Sequence, residues 1–267
     1  MLSVPEDAPL EDRAICQLVN SGLDTKKLLR AALTFHRVKL EQDEQESGDL
    51  FVQSGLFQGV KLYPHAIASQ LLPKIQGTYE KEVQDFLSRF SFMFDRFLDV
   101  GCAEGYYLAG VASWKSIPCM GIDINVRARD AFEYLSAMPG LEKLLSFSMD
   151  IGDVVHFLSG RLACLVDVDG GEIDVIERLD DMFRASMDLR SCILIVESDI
   201  NASGIQNHHD ISALLVSRGW QMLQVISQDP RDRFVGSKSH MSLLDQLMYG
   251  WEGRPGSQCW VAFGRDF

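Results

Sequence analysis

Apolar positions along this chain follow two rhythms, and the change between them comes near residue 97. Up to about Phe90 the spacing is helical. Leu10, Ala14, Ile15, Leu18 and Val19 recur three and four apart, and Asn20-Ser-Gly22 supplies a carboxyl-terminal stop. Asp24 can cap a second helix carrying Leu28, Leu29, Ala32 and Leu33, which runs out in the acidic stretch Glu41 to Glu46. A loop with Gly55, Gly59 and Pro64 follows. Gly77-Thr78 then precedes a helix through Val83, Phe86, Leu87 and Phe90. The residues Gly77 to Glu80 read by themselves as a cap, with Thr78 capping that helix and Tyr79 packed on the core.

From Phe97 short apolar strands alternate with helices. The strands are expected at Phe97–Val100, Cys119–Ile124, Leu144–Ser148, Leu162–Val168, Cys192–Glu197, Trp220–Ile226 and Cys259–Phe263. Helices are expected at Tyr106–Trp114, Val126–Ala137, Val154–Leu158, Ile173–Met187 and Ile205–Arg218, with another around Ser242–Met248. Such alternation predicts an α/β fold, a seven-stranded, mostly parallel sheet with helices on both faces. Residues 1–90 form a helical amino-terminal cap in this reading, and residues 91–267 the doubly wound domain.

The segment with the most chemistry is Asp99-Val-Gly101-Cys-Ala-Glu104-Gly105-Tyr-Tyr107, where an apolar strand turns through glycines into a helix. In a doubly wound sheet this is the crevice that takes a nucleotide-like ligand. The glycine spacing is Gly-x-x-x-Gly rather than the Gly-x-Gly-x-x-Gly of dinucleotide binders. Glu104 stands where a pyrophosphate needs helix amides and no negative charge. A cationic sulfonium tolerates such carboxylates. Asp123, in Gly121-Ile-Asp-Ile-Asn125, ends the next apolar run and can accept two ribose hydroxyls; Asp150 follows the third strand and can meet an adenine amino group. The plainer reading of each acid is a polar loop after a buried strand.

Composition narrows the partners. The 267 residues carry a formal net charge of −13, and no basic run occurs, which argues against a nucleic-acid duplex. A small-molecule acceptor, or a local site on another protein, fits better. No apolar run reaches the ~18 residues that span a bilayer, so no membrane partner is expected. The six cysteines are scattered without Cys-x-x-Cys spacing, which suits a reducing, cytoplasmic setting. The amphipathic amino-terminal segment can pair with a copy of itself as a homodimer, or fold back over its own sheet.

At the glycine turn the sequence resembles class I S-adenosylmethionine-dependent methyltransferases, above all the FkbM-like branch. The resemblance extends to Leu72-Pro-Lys-Ile-Gln-Gly-Thr-Tyr-Glu80, Asp167-Val-Asp-Gly-Gly-Glu172, Val196-Glu-Ser-Asp199 and Glu252-Gly-Arg-Pro255, and so runs from about Gly55 to the carboxyl terminus. It implies a Rossmann-like class I methyltransferase fold. It also implies methyl transfer from S-adenosylmethionine, usually to oxygen, on small molecules or sugar-bearing natural products. Two positions depart: the family's Asp-x-Glu-Gly reads Asp167-Val-Asp-Gly, and a His often found after Glu197 is Ser198. The candidate cofactor residues are Asp99, Gly101, Cys102, Ala103, Glu104, Gly105 and Tyr106 in the turn, then Asp123, Ile124, Asp150, Ile151 and Asp167, with Tyr79 brought near by the resemblance. The resemblance implies a lid role for Tyr79 and Glu80 as the alternative to simple capping.

An alcohol or phenol acceptor also needs its proton removed, by a base or a metal. Asp167 and the pair His208 and His209 are the candidate catalytic groups. Asp167, Asp169, Glu197 and Asp199, at neighbouring strand ends, repel one another unless neutralised, and a divalent metal such as Mg²⁺ could be held by Asp167, Asp169 and Glu197. The plainer reading is that only one or two of these side chains converge and the rest are solvated or cap helices. Asp199, Asn201 and, on a later loop, His240 are further candidates. N-methylation of an amine or peptide, and cofactor binding without catalysis, are the alternative functions.

Overall fold

The computed structural model describes residues 10–67, 69–168, 170–198, 207–228, 241–250, 252 and 259–266. Contacts divide the chain between Gly48 and Asp49 into two compact units. Residues 49–90, grouped with the amino-terminal helices on sequence, belong with the sheet in the second unit.

The first unit holds α1 (Leu10–Asn20) and α2 (Thr25–Glu46). Asp24 caps α2 as its position suggested, its carboxylate accepting from the Lys26 amide at 2.8 Å. In the second unit α3 (Leu71–Gln76) and α4 (Lys81–Arg89) precede a run of β1 (Arg96–Val100), α5 (Tyr106–Lys115), β2 (Cys119–Ile122), α6 (Val126–Ser136) and β3 (Leu145–Ser148). After β4 (Gly160–Val166) come α7 (Glu172–Ala185), β5 (Leu189–Ser198), α8 (His208–Ser217), β6 (Gln221–Ser227), α9 (Leu243–Gly250) and β7 (Cys259–Asp266). The helix expected at Val154–Leu158 is a 3₁₀ segment, Ile151–His156, and α3 was not foreseen. Pro73 sits in the first turn of α3, where a missing N–H costs no helix bond.

All seven strands form one sheet in the order β3-β2-β1-β4-β5-β7-β6, parallel except for β7, which runs antiparallel to both neighbours. Central β1, β4 and β5 are nearly continuous apolar runs because helices cover them on both sides. Leu98, Val100, Cys164, Val166 and Leu194 pack against Ile176, Leu179 and Phe183 of α7 and Ile211 and Leu215 of α8. The opposite face carries α5 over β1 and β2. The chain steps outward from β1 to β2 and β3, then returns to lay β4 on the other side of β1. This reversal leaves a crevice beyond the carboxyl ends of β1 and β4, where loops leave in opposite directions.

Asp180 of α7 ties the far half of the sheet together. Its fully buried carboxylate accepts from Arg184 Nε (2.8 Å), Trp220 Nε1 (2.8 Å) and Arg218 Nη1 (3.1 Å). Burial alone would raise its pKa, but these donors win and hold it below the ordinary carboxylate value. Asp180→Ala is expected to lower unfolding free energy by about 2 kcal/mol, less than a fully buried pair because the arginines keep some water. Urea unfolding at neutral pH checks this. The wild-type advantage should shrink as acid titrates Asp180, since a depressed pKa stabilises only where the group is ionised.

Candidate functional site

The crevice is a cavity of about 750 Å³, within the size range of small-molecule sites. Its floor is the turn after β1. Gly101 N–H donates to the Ile122 carbonyl (2.8 Å), and the Asp167 N–H donates to the Val100 carbonyl (2.9 Å), so the turn is stitched to both neighbouring strands. Gly101 has φ +86°, and a Cβ there would overlap the Asp167 carbonyl oxygen. No other residue fits. Ala103 is also left-handed (φ 47°), held by its N–H donating to Asp123 Oδ2 at 2.8 Å. Strain of this kind persists only where surroundings impose it.

Most of the predicted cofactor residues line the cavity: Asp99, Gly101, Cys102, Ala103 and Tyr106 from the turn, and Asp123, Ile124, Asp150 and Ile151 from the next two strand ends. Tyr79 and Asp167 line it as well. Asp123 and Asp150 also do local work, for Asp123 Oδ1 accepts from the Asn125 amide and Asp150 Oδ1 from the Gly152 amide, both at 2.8 Å. Glu104 and Gly105 are not among the lining residues. Glu104 turns away and is buried, accepting from the Ile67 amide (2.9 Å), Ser69 Oγ (2.8 Å) and the Lys74 ammonium. The expectation that Glu104 itself repels a pyrophosphate is therefore corrected: Lys74 neutralises it. Lys74 Nζ also lies 4.3 Å from the Tyr79 ring centre and 5.5 Å from that of Tyr106.

The negative field comes from other residues. Glu80, Asp123, Asp150, Asp167, Glu197 and Glu252 line the cavity together with Asp99, against Arg178 and the Lys74 that is already paired with Glu104. Carboxylate oxygens of Glu80, Asp167 and Glu197 all lie within 4.8 Å of one another, with Glu80 and Glu197 buried. Asp167 and Glu197 thus converge as their strand-end positions suggested, but the third partner is Glu80. Asp169, Asp199, Asn201 and His240 lie outside the described residues. The donor set is all oxygen, which suits a hard divalent cation or an ammonium group.

Sequence reasoning put Glu80 in a lid or capping stretch. Thr78 does not cap α4: Glu80 occupies the cap position with φ 45° and ψ 46°, and no side-chain cap bond forms. Glu80 N–H donates to Glu252 Oε1 (2.8 Å), and the Tyr107 hydroxyl donates to the Glu80 carbonyl (3.4 Å). A left-handed backbone at a glutamate, and a partner 172 residues away, leave no periodic signal in the sequence. His208 and His209 open α8 with ring centres 4.0 Å apart, and neither lines the cavity. Their candidacy as general base has no support from this placement.

Asp99, at the end of β1, has its pKa pushed up to about 8, chiefly by burial and further by Asp123 and Glu80, with Lys74 pulling the other way. Native Asp99 therefore keeps a proton that the unfolded chain gives up near its ordinary value of 3.8. Between these values the native state binds more protons, so this group makes stability fall as pH rises. In the ligand-free protein, Asp99→Asn should flatten the decline in melting temperature between pH 5 and pH 8. An identical slope in both proteins would refute it.

No family model matches the chain, and no curated protein matches its sequence. Among solved structures it is similar to the N-methyltransferase NodS from Bradyrhizobium japonicum in complex with S-adenosyl-L-homocysteine, at 13% identity, TM-score 0.42, and 70% and 87% of the two chains. It is similar also to the putative methyltransferase yhhF from Escherichia coli (11%, TM-score 0.44, 82% and 99%). A putative tRNA methyltransferase of Streptococcus pneumoniae in complex with S-adenosyl-L-methionine gives 12%, TM-score 0.45, and 68% and 71%. At such values the neighbours say nothing of the acceptor. The seven-stranded sheet, with its antiparallel β7 between β5 and β6, is a Rossmann-like, doubly wound α/β sheet.

Proposed function

We propose that this chain is an S-adenosylmethionine-dependent methyltransferase of the FkbM-like branch, acting on oxygen of a small-molecule acceptor. The observation that carries the reading is the acid-lined cavity at the strand reversal, built on the Gly101 turn. S-adenosylmethionine, when bound, supplies an electrophilic methyl group on a cationic sulfur. Asp123 would accept from the ribose hydroxyls and Asp150 from the adenine amino group. Asp99 and Tyr106 would border the methionine portion. Glu80, Asp167 and Glu197 are then left to orient the acceptor and take its proton. A Mg²⁺ ion held by the same three carboxylates would lower the acceptor's pKa instead. A cytoplasmic setting is proposed on the scattered cysteine spacing of the sequence alone. Among these residues no helix is long and apolar enough to cross a membrane.

A second reading, N-methylation of an amine that binds as its ammonium, draws on the spacing of those three carboxylates. The ammonium gives one proton to a carboxylate of Glu80, Asp167 or Glu197 before the freed lone pair attacks the methyl group. A tetrahedral ammonium donating three bonds of about 2.8 Å sets its acceptors about 4.6 Å apart, inside the 4.8 Å spread. Release of S-adenosylhomocysteine is the assay, with alcohols, phenols and primary amines as separate acceptor panels, each with and without EDTA. Turnover on a hydroxyl panel supports the first reading and turnover confined to amines the second. Activity unchanged in EDTA removes the metal. Glu80→Gln and Glu197→Gln should each lower kcat by about 10²-fold with cofactor affinity nearly unchanged. Wild-type turnover in both variants would remove the carboxylates from the chemistry.

A further inference from the structure

Helix α2 is 22 residues long, about 33 Å, and none of its residues is buried. Leu28, Ala31, Phe35 and Val38 fall at alternating spacings of three and four, the seam of a helix that packs lengthwise on another. Phe35 is 76% exposed, and Val38 and neighbouring Leu29 are exposed as well. On α1, in the same unit, Leu10, Ile15 and Leu18 are exposed too.

The charges on α2 run against its own dipole. Lys26, Lys27 and Arg30 stand in its first two turns, and Asp43 and Glu46 in its last; the first turn has no acid and the last no base. A lone helix is destabilised by this order, because its amino end is already partly positive and its carboxyl end partly negative. None of these five side chains has an ion-pair partner among the described residues. An antiparallel copy of the same helix answers both features. It sets the basic end of one helix along the acidic end of the other, opposes the two dipoles, and closes the apolar seam with Phe35 beside the partner's Val38.

We propose that α2 is a homodimerisation helix whose occupant is α2 of a second copy of this chain, related by a two-fold axis near Phe35 and Val38. An isologous contact of this kind closes on itself and stops at two subunits. The acidic and basic ends also fix the direction, since a parallel pair would set like charges together.

Sedimentation velocity of the full chain, over about 1 to 100 µM, tests this. A species of twice the 30.0 kDa chain mass is expected, populated more at low salt. Phe35→Asp should give a monomer with unchanged circular dichroism, because this side chain has no part in the folded core. Lys26→Glu, Lys27→Glu and Arg30→Glu together make both ends acidic and should also give a monomer. Adding Asp43→Lys and Glu46→Lys to that variant restores complementarity and should restore the dimer. A wild-type chain that stays monomeric throughout the range overturns the proposal. So does a dimer that survives Phe35→Asp, or a charge-swapped variant that stays monomeric.

Discussion

Like charges held close together in a poorly solvated crevice are the constraint on which this molecule turns. Asp99, Glu80 and Glu197 are all buried at the edge of one cavity, and Asp123 and Asp167 stand beside them. Carboxylates placed this way cannot all stay ionised without compensation. The chain relieves part of the repulsion internally. Lys74 neutralises Glu104, Asp99 retains its proton, and backbone amides feed Asp123 and Asp150. What remains is a chamber suited to a cationic ligand, at the one place in a doubly wound sheet where loops part to admit one.

The parts that make the chamber come from distant stretches, and each is fixed by a bond across the chain. The Lys74–Glu104 pair ties α3 to the glycine turn, and with Ser69 it holds the segment before α3 as one wall. Glu252 reaches the amide of Glu80 and helps hold a backbone conformation that glutamate rarely adopts. The aromatic rings of Tyr79, Tyr106 and Tyr107 fill the space between. Among the described residues, those that line the cavity belong to the second unit.

The sheet was legible in the sequence because its signal is local. All seven strands fall within a few residues of the apolar runs that predict them, and helices between them follow the 3.6 period. The Gly101 turn was legible for the same reason, as a strand, glycines and a helix in direct succession. Asp167 and Glu197 could be paired because both end neighbouring strands. Glu80 could not, since its role depends on a left-handed backbone and on Glu252. Glu104 was read as facing the ligand because its partner, Lys74, lies 30 residues earlier on α3, a helix that Pro73 hides from periodicity. Paired histidines at the start of α8 looked like a base in sequence, and their position on the fold takes them off the cavity wall.

The central claim is that this acidic crevice takes a sulfonium-bearing nucleoside and refuses a pyrophosphate. Isothermal titration of the 267-residue chain with S-adenosylmethionine, and separately with a nicotinamide dinucleotide, tests it most directly. Binding of S-adenosylmethionine with a Kd on the order of micromolar is expected, weakened about tenfold or more by Asp123→Ala, with no heat from the dinucleotide. Tight binding of the dinucleotide, or no binding of S-adenosylmethionine, would contradict it.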